Sequence, residues 1–357
     1  MLDQINNVDW ESLGYPHMAT WLLNLTSDDS SIRKEYFDRL YDSRVNTITK
    51  VSPYLIPFLL ELLTEEKIQS KDELLNLLMQ IASEAYYHPN DATAQLTLNK
   101  VEEGTHVYLA FLEDSENSSI AFELLGYLKG RLDQIASILL PMLNREEYKA
   151  VVAYTFYNLI RGGEVKNSQK YIDIFSILLS PNEDKYVRIA AAMGLSKLMG
   201  AQAPPEVDKI LMEALTHVHI ETRAYASSIY RLTQSSIELG VERAINILIE
   251  VISDEDKLIS LFQILPTLLN LGFNGGVLVK YFKRLRKNNN ILNEIIFTPL
   301  SETDTIQIPH PTLNPIQHRI LQTLLDNNTV WELKTNIFQL HGLPSSKKEL
   351  KILLSKI

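Results

Sequence analysis

The stretch Asp184-Lys185-Tyr186-Val187-Arg188-Ile189-Ala190-Ala191-Ala192-Met193-Gly194-Leu195-Ser196-Lys197-Leu198 decides the fold class. Val187, Ala191, Leu195 and Leu198 recur at steps of four, four and three, which places them on one face of an α-helix. Small residues make up much of this face, so a neighbouring helix can approach closely. Asp184 stands at the predicted start, where a short acceptor side chain caps free N–H groups. The pattern has echoes. Arg223 follows Arg188 by 35 residues, and Gly126 follows Ile120 as Gly194 follows Arg188. Ile32-Arg33 gives a fainter copy. A period of this size belongs to arrays of helical hairpins.

Working outward, Ser52–Leu63 is a strongly apolar helix with Pro57 inside it. The same arrangement, apolar residues on both sides of a proline, returns at Leu139-Leu140-Pro141-Met142-Leu143 and Ile264-Leu265-Pro266-Thr267-Leu268. An internal proline removes a backbone donor and bends a helix, so its recurrence supports an internal repeat. Lys71–Tyr87 is read as the partner of the first such helix. The next pairs are Glu103–Leu112 with Glu116–Lys129, Asp133–Leu143 with Glu146–Ile160, Asn167–Leu179 with Asp184–Met199, and Pro205–Thr216 with Glu221–Thr233. Val241–Ile252, Lys257–Leu271 and Val277–Arg286 continue the series. Residues 1–15 form a lead-in segment in which Trp10 and Leu13 can cover the first pair. Residues 88–103 show little periodicity and are read as an inserted loop, a candidate carrier of function. Residues 298–315 hold four prolines and read as an extended loop, and 316–357 as a closing helical cap.

An acid followed by Val-Arg, then Ala-Ala and Leu, resembles the second helix of a HEAT repeat. The resemblance implies an all-α fold, a right-handed α–α superhelix of about seven to eight helical hairpins, continuous over 1–357. It implies that Asp184, Arg188 and Arg223 form a structural ladder, pairing with acids or carbonyls of neighbouring repeats. The chain also resembles a group of uncharacterised bacterial HEAT-repeat proteins in Asp9-Trp10, Ile56-Pro57-Phe58-Leu59, Gln317-His318-Arg319-Ile320-Leu321, Trp331 and Gly342-Leu343-Pro344. Gly14-Tyr15-Pro16-His17 matches that group only loosely. Some of its members look like immunity partners of secreted toxins, which implies binding without catalysis.

Composition narrows the chemistry. There are no cysteines, which removes disulfides, thiolate metal sites and cysteine nucleophiles. No apolar run reaches the ~18 residues of a membrane span, and the N-terminus does not read as a signal peptide, so a soluble cytoplasmic protein is expected. The net charge of −10 is unevenly spread. Residues 1–130 hold 21 acidic and 9 basic side chains, a balance of −12, and the rest holds 25 basic and 23 acidic, a balance of +2. An acidic third of this kind repels phosphate backbones and attracts basic partners, though it also serves solubility.

No phosphate-binding glycine loop, HExxH or GxSxG is present. His217 and His219 are two apart, which on a helix puts them on different faces. No His-Glu dipeptide occurs, unlike the paired motifs of HEAT-like di-iron hydroxylases. Glu102-Glu103 and Glu146-Glu147 are read as helix-start pairs suited to the dipole. Lys280–Lys287 is the one basic cluster, and its cations fit the solvated end of a helix.

Tyrosine, 16 residues in all, is the remaining signal. Tyr36, Tyr41, Tyr86, Tyr87, Tyr127, Tyr154, Tyr157, Tyr225 and Tyr230 fall on predicted second helices, the concave side of a HEAT array. Tyrosine offers a large contact area with one polar tip, although any one of them can equally pack between repeats. Tyr36, Tyr41, Tyr86, Tyr87, Tyr127, Tyr157 and Tyr230, with Glu84 and Glu123, are the expected partner-binding residues. The resulting expectation is a non-enzymatic protein-binding solenoid whose acidic N-terminal half holds a basic protein, of antitoxin type in its most concrete form. No catalytic residue, metal or cofactor is assigned, and nucleic acid is not an expected partner. HEAT-like enzymes or ligand handlers, phycobilin lyases and DNA glycosylases among them, are the alternative, with an assembly scaffold as a third.

Overall fold

A computed structural model describes residues 2–42, 49–66, 68, 70–114, 116–162, 165–216, 224–254, 258–273, 313–333, 337–340 and 343–355. The protein is all-helical, and no strand occurs among the described residues. The sequence reading treats the chain as one continuous array. The structure falls into two compact units, Met1–Gly194 and Leu195–Ile357, each taken by itself below.

In the first unit Ser52–Thr64 pairs with Lys71–Tyr87, and Leu132–Met142 pairs with Glu146–Arg161. Lys71–Tyr87 forms because its apolar residues keep helical spacing. Leu74, Leu75, Leu78, Ile81, Ala82 and Ala85 are buried, while Asp72 and Glu73 in the first turn suit the positive end of the dipole. Pairs stack in rows. Lys71–Tyr87 packs on Ser118–Leu125, which packs on Glu146–Arg161, while Ser52–Thr64 packs on Thr105–Ala110. Close approach within the row is built from small residues. A Cβ at Gly126 would run into the Asn158 side chain, and Thr155 Oγ1 donates to the Phe122 carbonyl at 3.2 Å. Gly194 faces the Phe175 ring so closely that a Cβ would not fit.

In the lead-in, Trp10 is buried against Phe58 of the Ser52–Thr64 helix, and its indole N–H donates to the Ile5 carbonyl at 2.7 Å. The 88–103 segment differs from the loop expected there. Ala92–Glu103 is a helix, packed on both Ser52–Thr64 and Lys71–Tyr87. Asp91 caps it by accepting from the Ala94 N–H at 2.8 Å. Its buried face is Ala94, Thr97, Leu98 and Val101, helically spaced, but two of the four are small or polar, which hides the period in the sequence. Glu102 and Glu103 therefore end a helix and do not start one. Glu102 accepts from the Gly130 N–H at 2.8 Å, and Glu103 pairs with Lys100 at 2.7 Å. Glu146 and Glu147 do open their helix.

In the second unit Pro205–Thr216 packs on Ala224–Glu238 and on Val241–Asp254. Ala224–Glu238 packs on Leu258–Phe273, and Val241–Asp254 packs on Pro315–Asp326. Each helix thus meets its hairpin partner and its counterpart one hairpin on. Gly240, at φ +100, makes the tight reversal before Val241, a conformation that favours glycine. Pro57, Pro141 and Pro266 all lie inside helices. The tail helix Pro315–Asp326 starts at an Asn314 capping box, and Trp331 stacks on Phe338 at 4.7 Å. Residues 274–312, including the predicted helix Val277–Arg286, the basic cluster and nearly all of the proline-rich loop, lie outside the described residues.

Candidate functional site

The second-helix row of the first unit brings together residues far apart in the chain. Tyr86 and Tyr87 end the Lys71–Tyr87 helix. Tyr127 follows the Ser118–Leu125 helix. Tyr157 and Arg161 lie one turn apart at the end of Glu146–Arg161. Because each helix packs on the next, these ends meet. Tyr86 sets its ring edge-on to Tyr87 at 5.4 Å and to Tyr127 at 5.5 Å. Arg161 sits among three rings, its Cζ 5.3 Å from the centroid of Tyr86, 5.5 Å from Tyr87 and 5.9 Å from Tyr157. Its Nη2 donates to the Tyr87 hydroxyl at 3.0 Å and its Nε to the Tyr86 hydroxyl at 3.4 Å. Lys129 Nζ lies 5.8 Å from the same Tyr86 ring. Gly162 completes the arrangement: a Cβ there would strike the Tyr86 ring.

Burial works against the Arg161 charge, but the phenols of Tyr86, Tyr87 and Tyr157 outweigh it, so its pKa is shifted upward and the guanidinium stays ionised. Tyr87 is 45% exposed, whereas Tyr127 and Tyr157 are buried. The cluster therefore has a packed floor and an open rim. Glu84, half-buried, holds His88 at 3.6 Å on that rim, and Glu123 is exposed on the neighbouring helix.

The other sequence-derived candidates fall elsewhere. Tyr36 is half-buried with Arg39 over its ring at 5.3 Å, and Tyr41 is exposed and accepts from Gln80. Their contacts are with Arg39, Phe37 and Gln80, away from the Arg161 cluster. Tyr230, in the second unit, is 50% exposed. Tyr154 lies 6.0 Å from Tyr157. Asp184 caps its helix by accepting from the Tyr186 N–H at 2.8 Å, and Arg188 is half-buried. Arg223, His217 and His219 lie outside the described residues, as does the side chain of Tyr225.

Two ion pairs that sequence reading did not single out link elements about one hairpin apart. Lys149 bridges Glu146 at 2.7 Å and Glu183 at 3.0 Å. Arg243 grips Asp208 and donates to the carbonyls of Ala201 at 3.1 Å, Ala203 at 2.9 Å and Pro204 at 3.2 Å. Arg243 makes a contact of the ladder kind, from the first helix of a pair. The Asp208-to-Arg243 spacing of 35 residues was the signal available.

An apolar hollow elsewhere in the first unit is walled by Leu25, Phe37, Ile68 and Leu74, with Arg33, Ser70 and Glu73 beside them. Desolvation there, reinforced by Asp72, raises the Glu73 pKa. The hollow has room for little more than a water molecule. Among the described residues no group of three His, Asp or Glu side chains is placed to hold a metal, and no helix is long and apolar enough to cross a membrane. The chain matches no family model, curated protein or solved structure in the comparisons made with it.

Proposed function

We propose that this protein is a HEAT-like α-solenoid that binds a basic protein partner without catalysing a reaction, with the Tyr86–Tyr87–Arg161 cluster as the anchor of the binding face. The observation that carries this reading is the convergence of Tyr86, Tyr87 and Arg161, up to 75 residues apart, on one open rim. Tyrosine and arginine on a packed base are the residues that dominate protein interfaces. The hairpin-on-hairpin packing within each unit supports the solenoid. The balance of −12 over residues 1–130 supports a basic partner, since acidic surfaces steer and hold cationic ones. Neutralising a toxic basic protein by covering it is the most concrete form of such a role.

The test is capture from the cells in which the chain is native, at low and high salt, with wild type and Tyr87→Ala side by side. A basic protein retained at low salt, released by salt and lost with Tyr87→Ala is the expected result. Capture that yields no salt-sensitive basic protein contradicts the reading.

A further inference from the structure

We infer that Tyr86, Lys129 and Arg161 form a carboxylate-binding site, where an acidic side chain of the protein partner anchors. This inference rests on the reading of the chain as a partner-binding array and adds the chemistry of one contact.

Three donors on this rim have no acceptor among the described residues. Arg161 spends Nε and one Nη2 hydrogen on the two phenol oxygens, and its Nη1 has no partner. The Tyr86 hydroxyl accepts from Arg161, which leaves its own proton to donate. Lys129 Nζ makes neither an ion pair nor a hydrogen bond. Both cations approach one ring, so they repel each other, and no carboxylate lies within ion-pair distance of either among the described residues. Two other cations of the unit are neutralised: Arg145 holds Glu113 and Glu147, and Lys149 holds Glu146 and Glu183, whereas Lys71, Lys170 and Lys185 each lie over a single ring.

An acceptor with a single negative charge fits this site. The open Nη1–Nη2 end of the guanidinium matches the two oxygens of a carboxylate, and the Tyr86 hydroxyl and the Lys129 cation add to the field there. A phosphate carries more charge into the most acidic third of the chain, which disfavours it. An acidic residue at this point would fix the register of a partner otherwise held by its positive charge.

The test uses the full chain and the peptide acetyl-Gly-Gly-Glu-Gly-Gly-amide, with its Gln counterpart as reference, by calorimetric titration at low salt. The Glu peptide should bind about tenfold or more tightly than the Gln peptide. Arg161→Gln should abolish that preference, and Lys129→Gln and Tyr86→Phe should each weaken it about threefold. Lys185→Gln, which removes a cation from over the exposed Tyr186, should leave it unchanged. Equal binding of the two peptides overturns the inference, as does unaltered binding by Arg161→Gln. Inorganic phosphate that displaces the Glu peptide better than acetate does also overturns it, because the site then belongs to phosphate. If Arg161→Gln does not fold, Tyr86→Phe and Lys129→Gln carry the test. An oligolysine peptide titrated into the same protein separates the two readings. Oligolysine binding without a Glu preference sinks this site and leaves the proposed function standing, and the reverse outcome sinks the basic partner.

Discussion

Two arginines in this molecule are held in opposite ways. Arg243, in the second unit, is gripped by the Asp208 carboxylate and by three backbone carbonyls, with its side chain only 21% exposed. Its charge is neutralised and its donor edges are filled. Arg161, in the first unit, has ring faces and phenol oxygens around it and no carboxylate within ion-pair reach among the described residues. The difference separates an arginine used by the fold from one kept for something outside it. A fixed charge on an aromatic frame, with Nη1 unfilled, is organised for a ligand before the ligand arrives.

The largest expected effect breaks the first half of this contrast. Arg243→Ala leaves Asp208 half-buried without its cation and takes a donor from the Ala201 and Ala203 carbonyls, and should destabilise the protein by about 2–3 kcal/mol in urea denaturation. A loss within about 0.5 kcal/mol, the ordinary range of a surface change, would show that the clamp is incidental. Gly162→Ala comes next. Its new methyl would strike the Tyr86 ring, so a loss of about 1–3 kcal/mol is expected from overpacking, together with loss of the Glu-peptide preference. Retention of that preference would show that the position of Tyr86 does not matter.

Arg161→Gln is the reverse case. Only cation–π and phenol contacts are removed, so stability should fall by about 1 kcal/mol or less while partner capture is lost. A fall as large as that of Arg243→Ala would make Arg161 structural and dissolve the comparison. The smallest effect is the coupling of Arg161 to Tyr87. A double-mutant cycle with Tyr87→Phe should give about 0.5–1 kcal/mol, against a larger value for Arg243 with Asp208→Asn.

Much of the helical order was legible in the sequence, because it rests on local spacing. Lys71–Tyr87 and Pro205–Thr216 have the boundaries that caps and turn residues indicate. Ala92–Glu103 was not legible, since Thr97 and Ala94 fill core positions where larger apolar residues would have shown the period. The candidate site was legible only as a list of tyrosines. Composition picked out Tyr86, Tyr87 and Tyr157, but nothing local says that Tyr127 and Tyr157 are buried while Tyr87 stands open. Arg161 gave no signal at all: its partners are 74 and 75 residues away and reach it only through stacked helices. One clamp of the ladder kind stands at Arg243, near the start of Val241–Asp254, where no repeat of the Val-Arg pattern marks it.

Hydrogen exchange at the arginine Nε–H groups, followed by NMR with selectively labelled arginine during titration with the Glu peptide, compares the two residues in one sample. The Arg243 Nε–H, bound to Asp208 at 3.0 Å, should exchange slowly and stay unmoved throughout. The Arg161 Nε–H, held only by the long 3.4 Å bond to the Tyr86 hydroxyl, should exchange faster than that of Arg243 in the free protein, then shift and slow saturably as the peptide binds at the adjoining Nη1 end. An Arg161 signal as slow as that of Arg243 at the outset, and unmoved by the peptide, would contradict the claim that its charge is held open for a partner.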